Sequence, residues 1–160
     1  MALGIESDMA SDSVLIEPAT AEVLDEVFAI EQACFSAPWT RKMLAAELSG
    51  NQFAQFLIAK CPDPGSGAFV VAGYFCYWIV FEEVRLMNLA VLAPFRRQGV
   101  ARRLVCAALR AGLERGASRA MLEVRASNQE ALTRYYVNPD EDAVLMEMAP
   151  LQLGPLCERS

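Results

Sequence analysis

Arg96-Arg97-Gln98-Gly99-Val100-Ala101 is the stretch on which the reading of this chain turns. An apolar, strand-like segment from Met87 to Val91 precedes it, and a helical pattern from Val100 to Leu113 follows. Strand, short basic turn with a glycine, then helix is an arrangement that presents backbone N–H groups to a phosphate. The first N–H groups of a helix have no intrahelical partner, and its N-terminus carries partial positive charge. Gly99 lets a ligand approach the backbone, and the small Ala101 keeps the first turn open. Read alone, the pattern fits an ordinary helix start with solvated arginines equally well.

The rest of the chain narrows the choice. Its 160 residues suit one domain with a real core, and an apolar content of 54% argues against disorder. A net charge of −6 argues against a nucleic-acid binder, which needs a basic surface. Arg96, Arg97, Arg102 and Arg103 are therefore a local basic cluster in an acidic protein, as a small anionic ligand requires. Without histidine, imidazole-activated nucleophiles and most zinc or iron sites drop out, and no metal is implied. Cys34, Cys61, Cys76, Cys106 and Cys157 are scattered and odd in number, so free thiols in a reducing compartment are expected, with Cys106 an inert core thiol. The first residues lack a basic region followed by an apolar run, and no apolar run reaches membrane-spanning length. The expectation is a cytoplasmic protein without membrane or direct nucleic-acid contact.

Periodicity supplies the element order. Val14 to Glu17 reads as a strand. Thr20 is placed to cap a helix running to about Cys34, with Val23, Leu24, Val27, Phe28 and Cys34 on one face. Ala37-Pro38 breaks that helix, and Thr40 caps a second one, Arg41 to Leu48. Strands follow at Phe53 to Lys60 and Ala68 to Phe81, then a hairpin at Glu82-Glu83 into Val84 to Val91. The aromatic stripe Phe75/Tyr77/Trp78 suits sheet packing. After the helix from Val100, stopped at Gly116, come a strand at Ala120 to Arg125, a helical stretch from Asn128 and a last strand at Asp142 to Met148. Hairpins first and then a right-handed β-α-β crossover give a mixed, mostly antiparallel sheet of the α/β (α+β) class.

Asn88-Leu89-Ala90-Val91, Pro94 and Arg96 to Ala101, in that order, resemble the acetyl-CoA-binding motif of the GNAT N-acetyltransferases. The motif reads Gln/Arg-x-x-Gly-x-Gly/Ala, and Arg96, Gly99 and Ala101 occupy its defined places. The resemblance implies a GNAT fold over residues 14–149, a flexible tail at 1–13 and a C-terminal tail at 150–160. It assigns acetyl-CoA binding to Arg96, Arg97, Gln98, Gly99, Val100 and Ala101. It also gives a backbone N–H from Leu89-Ala90-Val91, at a bulge between parallel strands, the task of polarising the thioester carbonyl. Asn128 would touch the CoA arm, besides being placed to cap the helix that follows. Phe35-Ser36-Ala37-Pro38-Trp39-Thr40, Leu122 to Asn128, and Tyr135-Tyr136 with Pro139 and Glu141-Asp142-Ala143 resemble segments of the RimI-type enzymes. These acetylate the N-terminal alanine of small ribosomal subunit protein eighteen, which implies a protein N-terminus as acceptor. A lysine side chain, a small-molecule amine, or CoA binding without turnover stay open.

The chemistry needs a base. A peptide α-amine has a pKa of about 8, and only its neutral form attacks a thioester. Glu123 fits by residue type and place; its plainer role is a solvated strand residue paired with Arg125. The resemblance favours the base. It also makes Tyr135, seven residues after Asn128, the acid that protonates the leaving thiolate. Here the chain departs from the pattern, because relatives insert a Gly-Phe pair and another strand before their Tyr-Tyr segment. Either that stretch is deleted and Tyr135 serves twice, or a break lies between Ala131 and Val137. On chain length alone, Tyr136 to Glu141 is too short to cross back to the sheet and also form a paired strand.

Overall fold

The computed structural model describes residues 13–125, 138–140, 143–151, 153–154 and 157. Its elements are β1 (Leu15–Pro18), α1 (Leu24–Cys34), α2 (Arg41–Gly50), β2 (Ala54–Pro62), β3 (Phe69–Val80), β4 (Glu83–Val91), α3 (Val100–Glu114), β5 (Arg119–Arg125), β6 (Asn138–Asp140) and β7 (Ala143–Met148). They form one seven-stranded sheet in the order β1-β2-β3-β4-β5-β7-β6. Neighbours are antiparallel except β4 and β5, the parallel pair joined by α3. This is the mixed, mostly antiparallel sheet with one β-α-β crossover that the sequence implies.

Alternation along β3 builds a core on each side of the sheet. Tyr74 and Cys76 face α1 and α2, where they join Leu24, Val27, Ile30, Leu44, Phe56 and Ile58. Phe75 and Tyr77 face α3, with Val84, Val100, Leu104, Ala108 and Leu109. The aromatic stripe is thus sheet packing, with Trp78 on the α1/α2 side. Thr40 caps α2 as expected, its hydroxyl accepting from the Met43 N–H at 3.1 Å. Thr20 makes no side-chain cap. The chain first takes one tight turn, Val23 N–H bonding to the Thr20 carbonyl at 3.1 Å, so α1 starts only at Leu24.

Two expectations are corrected. Cys106 and Cys157 are not free thiols but a disulfide, with Cα atoms 5.6 Å apart; Cys34, Cys61 and Cys76 are the free ones. The pairing escaped the sequence because it depends on the C-terminal segment folding back. Leu151 and Cys157 are buried against α3, so part of the expected tail belongs to the core. The second correction concerns chain length. Asn138–Asp140 does form a strand, pairing with β7 from Asn138↔Leu145 to Asp140↔Ala143. These three residues extend only about 10 Å and pair with the strand that immediately follows them. The supposed break between Ala131 and Val137 lies outside the described residues. Among the described residues no helix is long and apolar enough to cross a membrane.

α3 lies close on the sheet because Gly112 faces Val84, both buried; a Cβ at Gly112 would collide with the Val84 Cγ2. Alanine is the better helix former by about 1 kcal/mol, but overpacking against a stiff β-branched side chain costs about 1–3 kcal/mol. Gly112→Ala is therefore expected to destabilise the protein by up to about 2 kcal/mol, read from the urea midpoint. A stabilised variant would contradict this packing.

Candidate active site

The site begins where the parallel pair parts. β4 and β5 are in register from Glu83↔Arg119 to Leu86↔Leu122 and no further. On its other side β4 pairs Cys76 with Asn88 and Tyr77 with Leu86, so Met87 is an extra residue, a β-bulge. Beyond it β4 stays with β3 as far as Gly73↔Val91, while β5 follows β7 to Arg125↔Ala143. A seam opens between residues 87–91 and 123–125, and alternate backbone groups of β4 point to this strandless edge. Ala90 and Val91 are buried and Leu89 packs on the α3 core. What these residues can offer a ligand in the seam is therefore backbone. The Val91 carbonyl is already taken. It accepts from Arg96 Nε at 2.7 Å and from the Cys34 thiol at 3.6 Å.

The basic turn lies at the end of β4. A single 3-10 turn, Ala93–Phe95, anchors it through buried Phe95. Arg97 (φ 62°) and Gly99 (φ 80°) are both left-handed, which turns successive N–H groups into a concave nest leading to α3. Gly99 occupies the cap position, and no side chain caps the helix. Any other residue there would be strained by the positive φ and would place its Cβ 3.4 Å from Arg102 Nη2. Val100 is buried and Ala101 half-buried. An uncapped helix start behind a nest suits a pyrophosphate, and the residues present fit that of CoA.

The four arginines do not act alike. Arg96 is spent on bracing the strand end, its Nη2 also reaching Cys34 Sγ at 3.6 Å. Arg103 reaches back to the Val14 carbonyl at 3.5 Å. Arg97 is exposed within the turn, and Arg102 lies beside Gly99. Gln98 closes the turn internally, donating to the Pro94 carbonyl at 3.3 Å. The backbone of Glu123 is the first β5 position past the last β4 pair, opposite Leu145 of β7. Asn128 and Tyr135 lie outside the described residues.

Sequence reasoning missed a buried polar cluster beneath the seam. Glu31 of α1 is 1% exposed. Its Oε1 accepts from the Trp39 backbone N–H at 2.9 Å and from Asn88 Nδ2 at 3.1 Å. Its Oε2 accepts from the Tyr74 hydroxyl and from Asn88 Nδ2 at 3.2 Å. Asn88 Nδ2 also reaches Tyr74 Oη at 3.2 Å. Burial first, then the bond to Glu31, push the Tyr74 phenol well above its ordinary range, so it stays protonated and donates. Burial, with Glu47 and Glu31 nearby, likewise pushes the Cys76 thiol up. The missed signal was a glutamate at position i+4 from Val27 and beside Ile30, on the apolar stripe of an amphipathic helix.

Comparison with known proteins agrees with this fold. The family model described as acetyltransferase (GNAT) family matches residues 24–137. The ribosomal protein bS18-alanine N-acetyltransferase of Haemophilus ducreyi is 31% identical over 151 residues, covering 84% of this chain and 99% of that one. The crystal structure of the ribosomal-protein-S18-alanine N-acetyltransferase from Escherichia coli superposes with a TM-score of 0.70 at 25% identity, covering 89% of this chain and 97% of that one. Arabidopsis thaliana NAA60 in complex with acetyl-CoA shares the fold, with a TM-score of 0.70 at 15% identity over 85% of this chain and 98% of its own.

Gly99→Val is expected to raise the acetyl-CoA Kd by about tenfold or more, since it strains the nest and places a branched side chain at the approach to the helix start. Calorimetry on the folded variant reads this directly, and unchanged affinity would contradict the placement of the pyrophosphate.

Proposed function

The chain belongs to the acetyltransferase (GNAT) family, and from that premise we propose that it acetylates the N-terminal alanine of ribosomal protein bS18. It is an acetyl-CoA-dependent N-acetyltransferase. The observation that carries the choice of acceptor is the 31% identity to the Haemophilus ducreyi enzyme over nearly that enzyme's whole length. The fold alone would not carry it, because acceptor choice rests on loops.

The seam gives the reaction its geometry. The pantetheine arm runs from the nest at residues 97–101 along the open edge of β4. There an N–H from Leu89-Ala90-Val91 donates to the thioester oxygen as negative charge develops on it. The acceptor amine enters from the β5 side, where Glu123 is the first residue beyond the paired register. Glu123, directly or through a water, takes the proton from the ammonium. The neutral nitrogen attacks the carbonyl carbon, the C–N bond forms and the C–S bond breaks. The CoA thiolate leaves with a proton from Tyr135, and the surplus proton on the new amide nitrogen returns through water to the Tyr135 phenolate. Arg96 acts one step away, holding the Val91 carbonyl and thereby the end of the strand that carries the N–H groups.

A peptide with a free N-terminal alanine is expected to show a kcat/KM at least about tenfold above those of free lysine or spermidine, measured by thiol release. An equal or better small amine would overturn the acceptor. Glu123→Gln should keep the acetyl-CoA Kd while kcat falls about 10²–10⁴-fold at neutral pH. The deficit should shrink as pH rises past about 8, because more of the amine is already neutral. Near-normal turnover at neutral pH would remove Glu123 from the mechanism.

A further inference from the structure

We propose that Glu31 is a positioning residue for acyl transfer, one buried carboxylate that holds both walls of the seam's acceptor side. This deepens the acyl-transfer reading of the seam and rests on it. One wall is the α1–α2 loop, tied through the Trp39 N–H to Oε1. The other is the displaced part of β4, tied through Asn88, the residue directly after the Met87 bulge, to both carboxylate oxygens. Tyr74, on β3, completes the anchor and is itself buried in the sheet. The loop and the strand end also meet directly. Cys34, the last residue of α1, donates to the carbonyl of Val91, the last residue of β4.

Chemistry explains why a carboxylate sits here. All of these partners are neutral donors, and both oxygens act as acceptors. A glutamine would turn an NH₂ group towards donors and leave at least one of them unpaired. An apolar residue would suit packing better, as Val27, Ile30 and Leu44 do in the same core. A buried acid is costly for stability, and it is worth having where it fixes one arrangement among several. The arrangement fixed here is the lateral distance between a loop at the mouth of the seam and the strand whose free N–H groups face into it. The nest and α3 lie on the opposite face of the sheet, so the hold on the pyrophosphate end of the cofactor does not depend on Glu31.

The test uses the full chain with Glu31→Gln and with the exchanged pair Glu31→Gln/Asn88→Asp. In the exchanged pair, residue 31 supplies the amide and residue 88 the carboxylate. Glu31→Gln is expected to speed amide hydrogen exchange at Trp39 by about tenfold or more and to lower kcat/KM for an N-terminal-alanine peptide by a similar factor. The acetyl-CoA Kd should stay within about twofold, and the exchanged pair should recover at least part of both losses. A folded Glu31→Gln with wild-type exchange at Trp39 and wild-type kcat/KM overturns the proposal. So does a loss of activity that appears only as weaker acetyl-CoA binding. If Glu31→Gln does not fold, Asn88→Ala cuts the tie to β4 alone; lowered kcat with intact acetyl-CoA binding then supports the proposal, and unchanged kcat overturns it. If the wild-type protein acetylates no peptide, the acceptor assignment fails. Trp39 exchange then decides whether Glu31 holds the loop, equal rates in both proteins overturning it.

Discussion

β4 and β5 run parallel and in register only as far as Leu86↔Leu122, because Met87 puts one residue more into β4 than β3 can match. A bulge increases the local twist of its strand, and here it carries β4 away from β5 while leaving it paired to β3. The cost is a stretch of sheet edge inside the sheet, with backbone donors and acceptors lacking strand partners on one side. That edge becomes useful when a thioester lies along it. The helix that crosses from β4 to β5 starts beside the seam, so in the proposed binding mode the phosphate end of the ligand and its reactive end would meet one continuous piece of chain.

The two faces of the sheet divide the work. On one face α3 packs closely through Gly112 on Val84, and its uncapped start follows the basic turn. On the other face α1 and α2 cover Tyr74, Cys76 and Ala90, and Phe35 and Trp39 of the loop between them pack against the same core. Arg96 and Cys34 join the faces at a single carbonyl, that of Val91. Glu31 is the buried charged side chain among the described residues, and it sits where loop, bulge and sheet converge. A core that is otherwise apolar accepts one acid where geometry matters more than stability.

Much of this was legible from residues. The 3.6-residue pattern after Gly99, the alternation in β3 and the glycine between strand and helix are local signals, and each became the expected element. Thr40 announced its cap, whereas Thr20 did not, because an intervening 3-10 turn is not encoded by a periodicity. The bonding of Cys106 to Cys157 depends on how the C-terminal segment returns to α3, which spacing does not record. Arg96 is a cofactor-binding residue by resemblance, and its Nε also donates to the Val91 carbonyl, a contact that spacing does not record. Glu31 was hidden for the opposite reason. It occupies a core position of a helix, and only its partners on β3, β4 and the loop make it intelligible.

The central claim is that acetyl-CoA is held by backbone groups on either side of the β4–α3 turn, its thioester in the seam. Titration with acetyl-CoA, followed residue by residue in the amide NMR spectrum, tests it most directly. The account predicts that amides of Arg97 to Ala101 move as one saturable set together with amides within Leu89 to Val91, while those of α2 move little. Saturable shifts confined to another face of the sheet, with these two groups of amides unmoved, would contradict it.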